Sequence, residues 1–225
     1  LDCLFEALSG FTTTGASVLT NIEVVPPGIL FWRSLTHWLG GMGIIVLTIA
    51  ILPFLGVGGM QLFKAEVPGP VADKLQPRIT ETAKLLWLVY LLFTVVEVAL
   101  LMFGGMDLFD ALCHTFGTLA TGGFSTKNAS VGHYNSVYID TVITVFMLLS
   151  GINFALHYQA LTGHFKKFYK NSELQFFLAV FAVGTIIVTW SVWRGGFFGL
   201  GNSFRHAAFQ VASILTTTGY ATTDF

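Results

Sequence analysis

Residues 1–17 read LDCLFEALSGFTTTGAS, residues 109–125 read FDALCHTFGTLATGGFS, and residues 205–221 read RHAAFQVASILTTTGYA. Set side by side without gaps, the three windows share the column Thr13, Thr121, Thr217 and the column Gly15, Gly123, Gly219. Ser9, Gly117 and Ser213 are all small, and Glu6, His114 and Gln210 can all form hydrogen bonds. Phe124 and Tyr220 follow their glycines, where the first window has Ala16. Each window begins as a plausible half-helix and ends in a Thr/Gly run. Self-similarity of this kind is the mark of a repeated structural unit.

Four apolar stretches flank these windows, each long enough to cross a bilayer as a helix of about 20 residues. They are 29–55 (most apolar over 39–55), 85–103, 137–161 and 174–193. The third is more polar, with Asp140, Asn153 and His157. The shorter segments 1–19, 107–126 and 203–223 are apolar but too short or too rich in Gly and Thr to span. They read as re-entrant loops, in which a short helix dips into the membrane and the chain returns as extended backbone. Such backbone is tolerated only where protein or a water-filled cavity covers it.

Composition agrees. Of the 225 residues 54% are hydrophobic and only 10% charged, against about 25% charged in soluble domains. The chain therefore reads as a multi-pass membrane protein. A net charge of −1 offers no basic face for nucleic acid. Cys3 and Cys113 form no CxxC pair or Cys/His cluster, so neither a disulfide framework nor a zinc site is expected. Lys64, Lys74, Arg78 and Lys84 in linker 56–84, with Lys166, Lys167 and Lys170 in linker 162–173, hold most of the basic residues. Both linkers are expected on the cytoplasmic side, and all three re-entrant loops then enter from the outer side. Because the chain starts at Leu1 and closes no element at Phe225, both ends read as cut points.

The repeating unit is thus a membrane helix, a pore helix, a Thr/Gly loop and a second membrane helix, in an all-α polytopic membrane protein with about 2.5 units present. Residues 1–55 form a first remnant (pore helix, filter, second membrane helix), and 56–78 a cytoplasmic linker. Residues 79–170 form a complete second repeat, and 171–225 a third without its closing helix. Repeats of this kind close around an axis, and three-fold and four-fold closure are both conceivable from the sequence. Backbone carbonyls in such loops can replace the hydration shell of an alkali cation. Glycine reaches backbone angles closed to other residues, and each half-helix would aim the negative end of its dipole at the pore.

The loops Thr12-Thr13-Thr14-Gly15, Ala120-Thr121-Gly122-Gly123-Phe124-Ser125 and Thr216-Thr217-Thr218-Gly219-Tyr220 resemble the filter loops of the Trk/Ktr/HKT superfamily, most closely its bacterial TrkH type. The segment with Trp32, Arg33, His37, Trp38 and Gly40-Gly41-Met42-Gly43 resembles the helix that follows the first filter there. The resemblance covers essentially the whole chain. It implies four repeats around one pore with pseudo-four-fold, potassium-channel-like symmetry, and selective potassium uptake. It gives filter carbonyls to Thr13, Thr14, Gly15, Thr121, Gly122, Gly123, Thr217, Thr218 and Gly219. Glycine rather than serine at 15 goes with potassium rather than sodium. The resemblance further implies a homodimer, a cytosolic nucleotide-binding regulatory subunit of the TrkA type and a bacterial inner-membrane location. The transported potassium ion stands in place of any organic cofactor. A fourth filter and the glycine-rich gating loop of the third repeat fall outside these residues.

Other polar residues carry weaker expectations. Arg33 is expected to pair with a pore-helix acid such as Glu6. Asp140 is expected at the outer interface, exposed. Glu97 either pairs with a donor on a neighbouring helix or takes part in ion coupling. His37 and His157 read as hydrogen-bonded packing residues rather than ligands. Asn128-Ala129-Ser130 matches a glycosylation acceptor in an outer loop, which carries no meaning in a bacterial protein. A secondary transporter of another solute, built on broken helices, is the alternative function; it more naturally has two related halves than three registered loops. An enzyme is not expected, because no nucleophile–base constellation, phosphate loop or metal spacing is present.

Overall fold

The structure, a computed structural model, describes residues 1–43, 79–163 and 168–223, without the side chains of Met42 and residues 79–83. The apolar stretch beyond Gly43, linker residues 56–78, and Lys166 and Lys167 of the second linker lie outside the described residues. The described residues hold helices and loops and no strand.

Eight α-helices follow in order: α1 (Asp2–Phe11), α2 (Pro27–Trp38), α3 (Ile79–Phe103), α4 (Leu108–Leu119), α5 (Val137–Ser150), α6 (Phe154–Leu161), α7 (Ser172–Arg194) and α8 (Leu200–Leu215). Helices α1, α4 and α8 are the three pore helices. Helix α2 opens with Pro27 at its first position, where the missing N–H costs nothing, and runs into a π-helical turn over Leu39–Gly43. Helix α3 runs without Gly or Pro until Gly104-Gly105, where Gly105 turns left-handed at φ 95°. The side chain of Asn171 accepts from the Leu174 N–H to start α7.

Residues 84–103 of α3 and all of α7 are long and apolar enough to cross a membrane. Leu88, Val95 and Phe103 on α3, and Phe176, Ile186 and Trp190 on α7, are exposed. Large apolar residues in such numbers on long helices are what lipid would cover.

The third stretch departs from a single span. It breaks into α5 and α6, bent by 101°. The corner is built by side chains. Asn153 Oδ1 accepts from Ala155 N at 3.0 Å and so restarts a helix. The Leu149 carbonyl, which also accepts from Ile152 N at 3.2 Å, lies 2.8 Å from His157 Nε2. Asn153 and His157, two of the three polar residues that set this stretch apart, lie at its bend.

The packing follows a progression around an axis. Pore helix α4 packs against α3 and α5 of its own repeat and also against α2 of the repeat before. Pore helix α8 packs against α7 of its own repeat and against α5 of the repeat before. Trp38 Nε1 donates to Thr94 Oγ1 at 3.1 Å, and Tyr90 Oη donates to the Trp38 carbonyl at 3.2 Å, tying α2 to α3. Leu86, Val89, Ile143, Met147, Phe209 and Tyr220 pack in one buried cluster between the second and third repeats.

Asp140 is not exposed at the interface. It is 2% accessible, and its carboxylate lies 3.0 Å from Arg205 Nε of α8. An acid in an apolar span needs an opposite charge from the next element, and the third pore helix supplies it. Glu97 is fully buried, with Thr118 of α4 beside it and no ion pair among the described residues. Replacing Asp140 with Ala should lower stability by about 3 kcal/mol, the low end for breaking a buried pair because Arg205 keeps some solvent. The double change Asp140→Leu with Arg205→Met should recover most of it. Thermal unfolding of the full-length protein in detergent reads both.

Candidate functional site: three Thr/Gly strands

The three pore helices end alike. The residue after each helix (Thr12, Ala120, Thr216) has φ of −84°, −79° and −92° with ψ within a few degrees of zero. The next residue is left-handed in all three: Thr13 at φ 55°, Thr121 at 52°, Thr217 at 59°. The residue two further on is a left-handed glycine, with φ of 74° at Gly15, 79° at Gly123 and 83° at Gly219. Thr14, Gly122 and Thr218 between them keep negative φ.

A left-handed β-branched residue is an outlier and costs about 1–3 kcal/mol. Three in register are held there by their surroundings. Alternating hands along a chain turn successive N–H groups to one side and successive carbonyls to the other. The N–H groups face the end of the pore helix. Thr14, Gly122 and Thr218 donate to the carbonyls of Ser9, Gly117 and Ser213 at 3.0, 2.8 and 2.8 Å. Thr13, Thr121 and Thr217 donate to Gly10, Thr118 and Ile214 at 3.1, 3.0 and 3.1 Å. These are the carbonyls a helix end leaves open. No described donor bonds a carbonyl of the nine residues Thr13–Gly15, Thr121–Gly123 and Thr217–Gly219.

The strands stand shoulder to shoulder. A Cβ added to Gly15 would run into the Gly122 carbonyl, and one added to Gly123 into the Thr218 carbonyl. One added to Gly219 meets no atom of the described residues within 4 Å. Strand one therefore abuts strand two, and strand two abuts strand three.

Behind each strand the returning chain is pinned to its pore helix by a ladder of side-chain bonds. Ser9 Oγ donates to the Ala16 carbonyl at 2.6 Å, and Ser213 Oγ to the Tyr220 carbonyl at 2.7 Å. Glu6 accepts from Ser17 Oγ and Val18 N, both at 2.7 Å, and His114 Nε2 lies 3.1 Å from Ser125 Oγ. Nearer the outer mouth Asp110 accepts from Thr126 Oγ1 at 2.7 Å, and His206 Nδ1 lies 2.9 Å from Thr222 Oγ1. Asp110 also takes the Lys127 ammonium at 3.1 Å and the Tyr134 hydroxyl at 2.6 Å. Burial first, then the Asp110 carboxylate, pushes the Tyr134 phenol well above its usual range, so it remains a donor.

Arg33 joins two repeats. Its Nε lies 2.7 Å from Glu6 Oε2, the expected pair. Its guanidinium also sits 3.4 Å from the Phe124 ring centre, and Nη1 donates to the Ser125 carbonyl at 3.4 Å. His37 stacks on Phe124 at 3.9 Å and fills the space behind Gly122, where a Cβ would strike the imidazole. His37 thus packs against the second Thr/Gly strand from behind. Cys113 is buried and Cys3 exposed, and they form no disulfide. No group of three or more His, Cys, Asp or Glu that could hold a metal ion exists among the described residues.

Short helices ending on left-handed Thr/Gly strands, between helices long enough and apolar enough to cross a bilayer, fit a multi-pass membrane protein. Over residues 1–225 the sequence matches the TrkH family, described as cation transport protein, and the chain belongs to that family. It is 48% identical over 224 residues to the Trk system potassium uptake protein TrkH of Escherichia coli K12, covering 98% of this chain and 46% of that protein. It is 42% identical over 228 residues to the Trk system potassium uptake protein TrkG of the same strain, covering 100% of this chain and 47% of that protein. The crystal structure of the potassium transporter TrkH from Vibrio parahaemolyticus superposes with a TM-score of 0.83 at 39% identity, over 99% of this chain and 45% of that one. The chain spans about half the length of the relatives it matches.

Arg33→Lys keeps the charge but loses the planar fork and the stacking on Phe124. It should lower stability by about 2 kcal/mol, as expected for a desolvated cation–π contact, and weaken cation discrimination. Thermal unfolding and ion flux on the same preparation check both.

Proposed function

We propose that the full-length protein carrying this chain takes up potassium across the cell membrane through a filter of backbone carbonyls. The observation that carries this is the threefold repetition of one strained backbone conformation whose carbonyls accept no donor among the described residues. Those of Thr13, Thr14, Gly15, Thr121, Gly122, Gly123, Thr217, Thr218 and Gly219 would replace the water around a dehydrated cation, and their number and field would favour potassium. The C-terminal ends of α1, α4 and α8 add negative potential at the same place. The names of the curated relatives, which are potassium uptake proteins, support the choice of ion.

Pore closure requires a further strand. The open side of Gly219 and the exposed apolar side chains Leu4, Phe5 and Leu8 of α1 favour one more repeat between the third and the first, giving four around one axis. The division into a first remnant at 1–55, a linker at 56–78, a second repeat at 79–170 and a third from 171 belongs to the same reading. So do a homodimer, a TrkA-like cytosolic nucleotide-binding subunit docking on the basic linkers, and a place in the bacterial inner membrane. The protein acts as a transporter without an organic cofactor.

Gly15 combines a left-handed backbone with a neighbouring carbonyl where its side chain would be, so Gly15→Ser perturbs two strands at once. Reconstituted in liposomes, the wild-type full-length protein should take up rubidium and potassium well ahead of sodium and lithium. In Gly15→Ser that preference should fall at least tenfold. Flux indifferent to the cation in the wild type, or unchanged by the substitution, would overturn the proposal.

A further inference from the structure

Gly117 departs from the repeat in a way that the third strand explains. Its counterparts Ser9 and Ser213 each donate to the carbonyl one residue past the filter glycine, Ala16 and Tyr220 respectively. The corresponding carbonyl in the second repeat is that of Phe124, and Gly117 has no hydroxyl to offer. Instead Tyr220 of the third strand reaches across: its Oη lies 3.1 Å from the Phe124 carbonyl and 3.0 Å from the His114 carbonyl. Tyr220 is fully buried, and Phe124 is 1% accessible. A Cβ on Gly117 would run into the Tyr220 hydroxyl and come within 3.0 Å of the Phe124 carbonyl. The missing side chain and the arriving hydroxyl occupy one space.

We infer that the Tyr220 hydroxyl takes the place of the absent serine in the second repeat and makes Tyr220 a positioning residue for the filter. Every filter exit then has one hydroxyl on the same carbonyl, but in the second repeat the donor comes from the neighbouring strand. This couples the second strand to the third, where the serines of the other repeats act only within their own. The carbonyls of Thr121 to Gly123 are thereby set by the position of the third strand, and cation discrimination depends on a bond between repeats. The inference rests on the reading of these strands as a cation filter.

The test is a double-mutant cycle in the full-length protein, reading rubidium against sodium uptake in liposomes and thermal stability in detergent. Tyr220→Phe should lower discrimination about threefold to tenfold, the range for losing one neutral hydrogen bond, while uptake continues. Gly117→Ser alone should also lower it, because its side chain competes with the phenol for one space. The double variant, Gly117→Ser with Tyr220→Phe, restores the pattern of the other repeats and should recover at least half of the loss in both readouts. Recovery supports the inference even if a single variant fails to fold. Unchanged discrimination in Tyr220→Phe, or a double variant no better than the worse single one, overturns it. A wild type that does not discriminate overturns the filter reading itself, which separates that failure from failure of the cycle.

Discussion

Everything in this structure depends on where the peptide groups of nine residues can find partners away from water. Backbone at membrane depth cannot leave its N–H groups unpaired. A pore helix ends with open carbonyls. Each strand folds back so that its N–H groups meet those carbonyls, as Thr14 does with Ser9, Gly122 with Gly117 and Thr218 with Ser213. The cost is a left-handed Thr in every repeat, and the result is a row of carbonyls with no partner among the described residues. The strain and the binding surface are two sides of one arrangement.

The three repeats agree in backbone and differ in side chains. The first exit is held by Glu6, which also takes Arg33; the second by His114, Asp110 and the phenol of Tyr220; the third by His206 and Ser213. Repeats within one chain permit this, since each position mutates alone. Arg33 and Tyr220 exploit it, and both end on the second exit strand, at Phe124 and Ser125. That strand also receives His37 against Gly122 and Phe124. The second Thr/Gly strand is therefore braced by Arg33 and His37 from one side and by Tyr220 from the other.

The repeat was legible in the sequence because Thr and Gly recur in one register, and their chemistry requires the same backbone at each recurrence. The pairing of Arg33 with Glu6 was legible too, since isolated charges in apolar segments seek one another. Asp140 misled because its partner, Arg205, sits on a helix far along the chain, and only packing brings α5 and α8 together. The bend between α5 and α6 was hidden because an apolar average passes over Gly151 to Asn153, although Asn153 carries a helix-start signal in its side chain. Gly117 read simply as small. Its reason lies in Tyr220 on another strand, and comparison of aligned columns cannot supply a contact across columns.

The most direct test is to locate the ion. A structure of the full-length protein grown with rubidium or thallium, read by anomalous scattering, should place density on the pore axis between the carbonyls of Thr13 to Gly15, Thr121 to Gly123 and Thr217 to Gly219. Its distances to those oxygens should be those of a dehydrated cation, and replacement by sodium should abolish or displace it. Density only in a wide vestibule with its water shell intact, or none at the strands under saturating ion, would contradict the account.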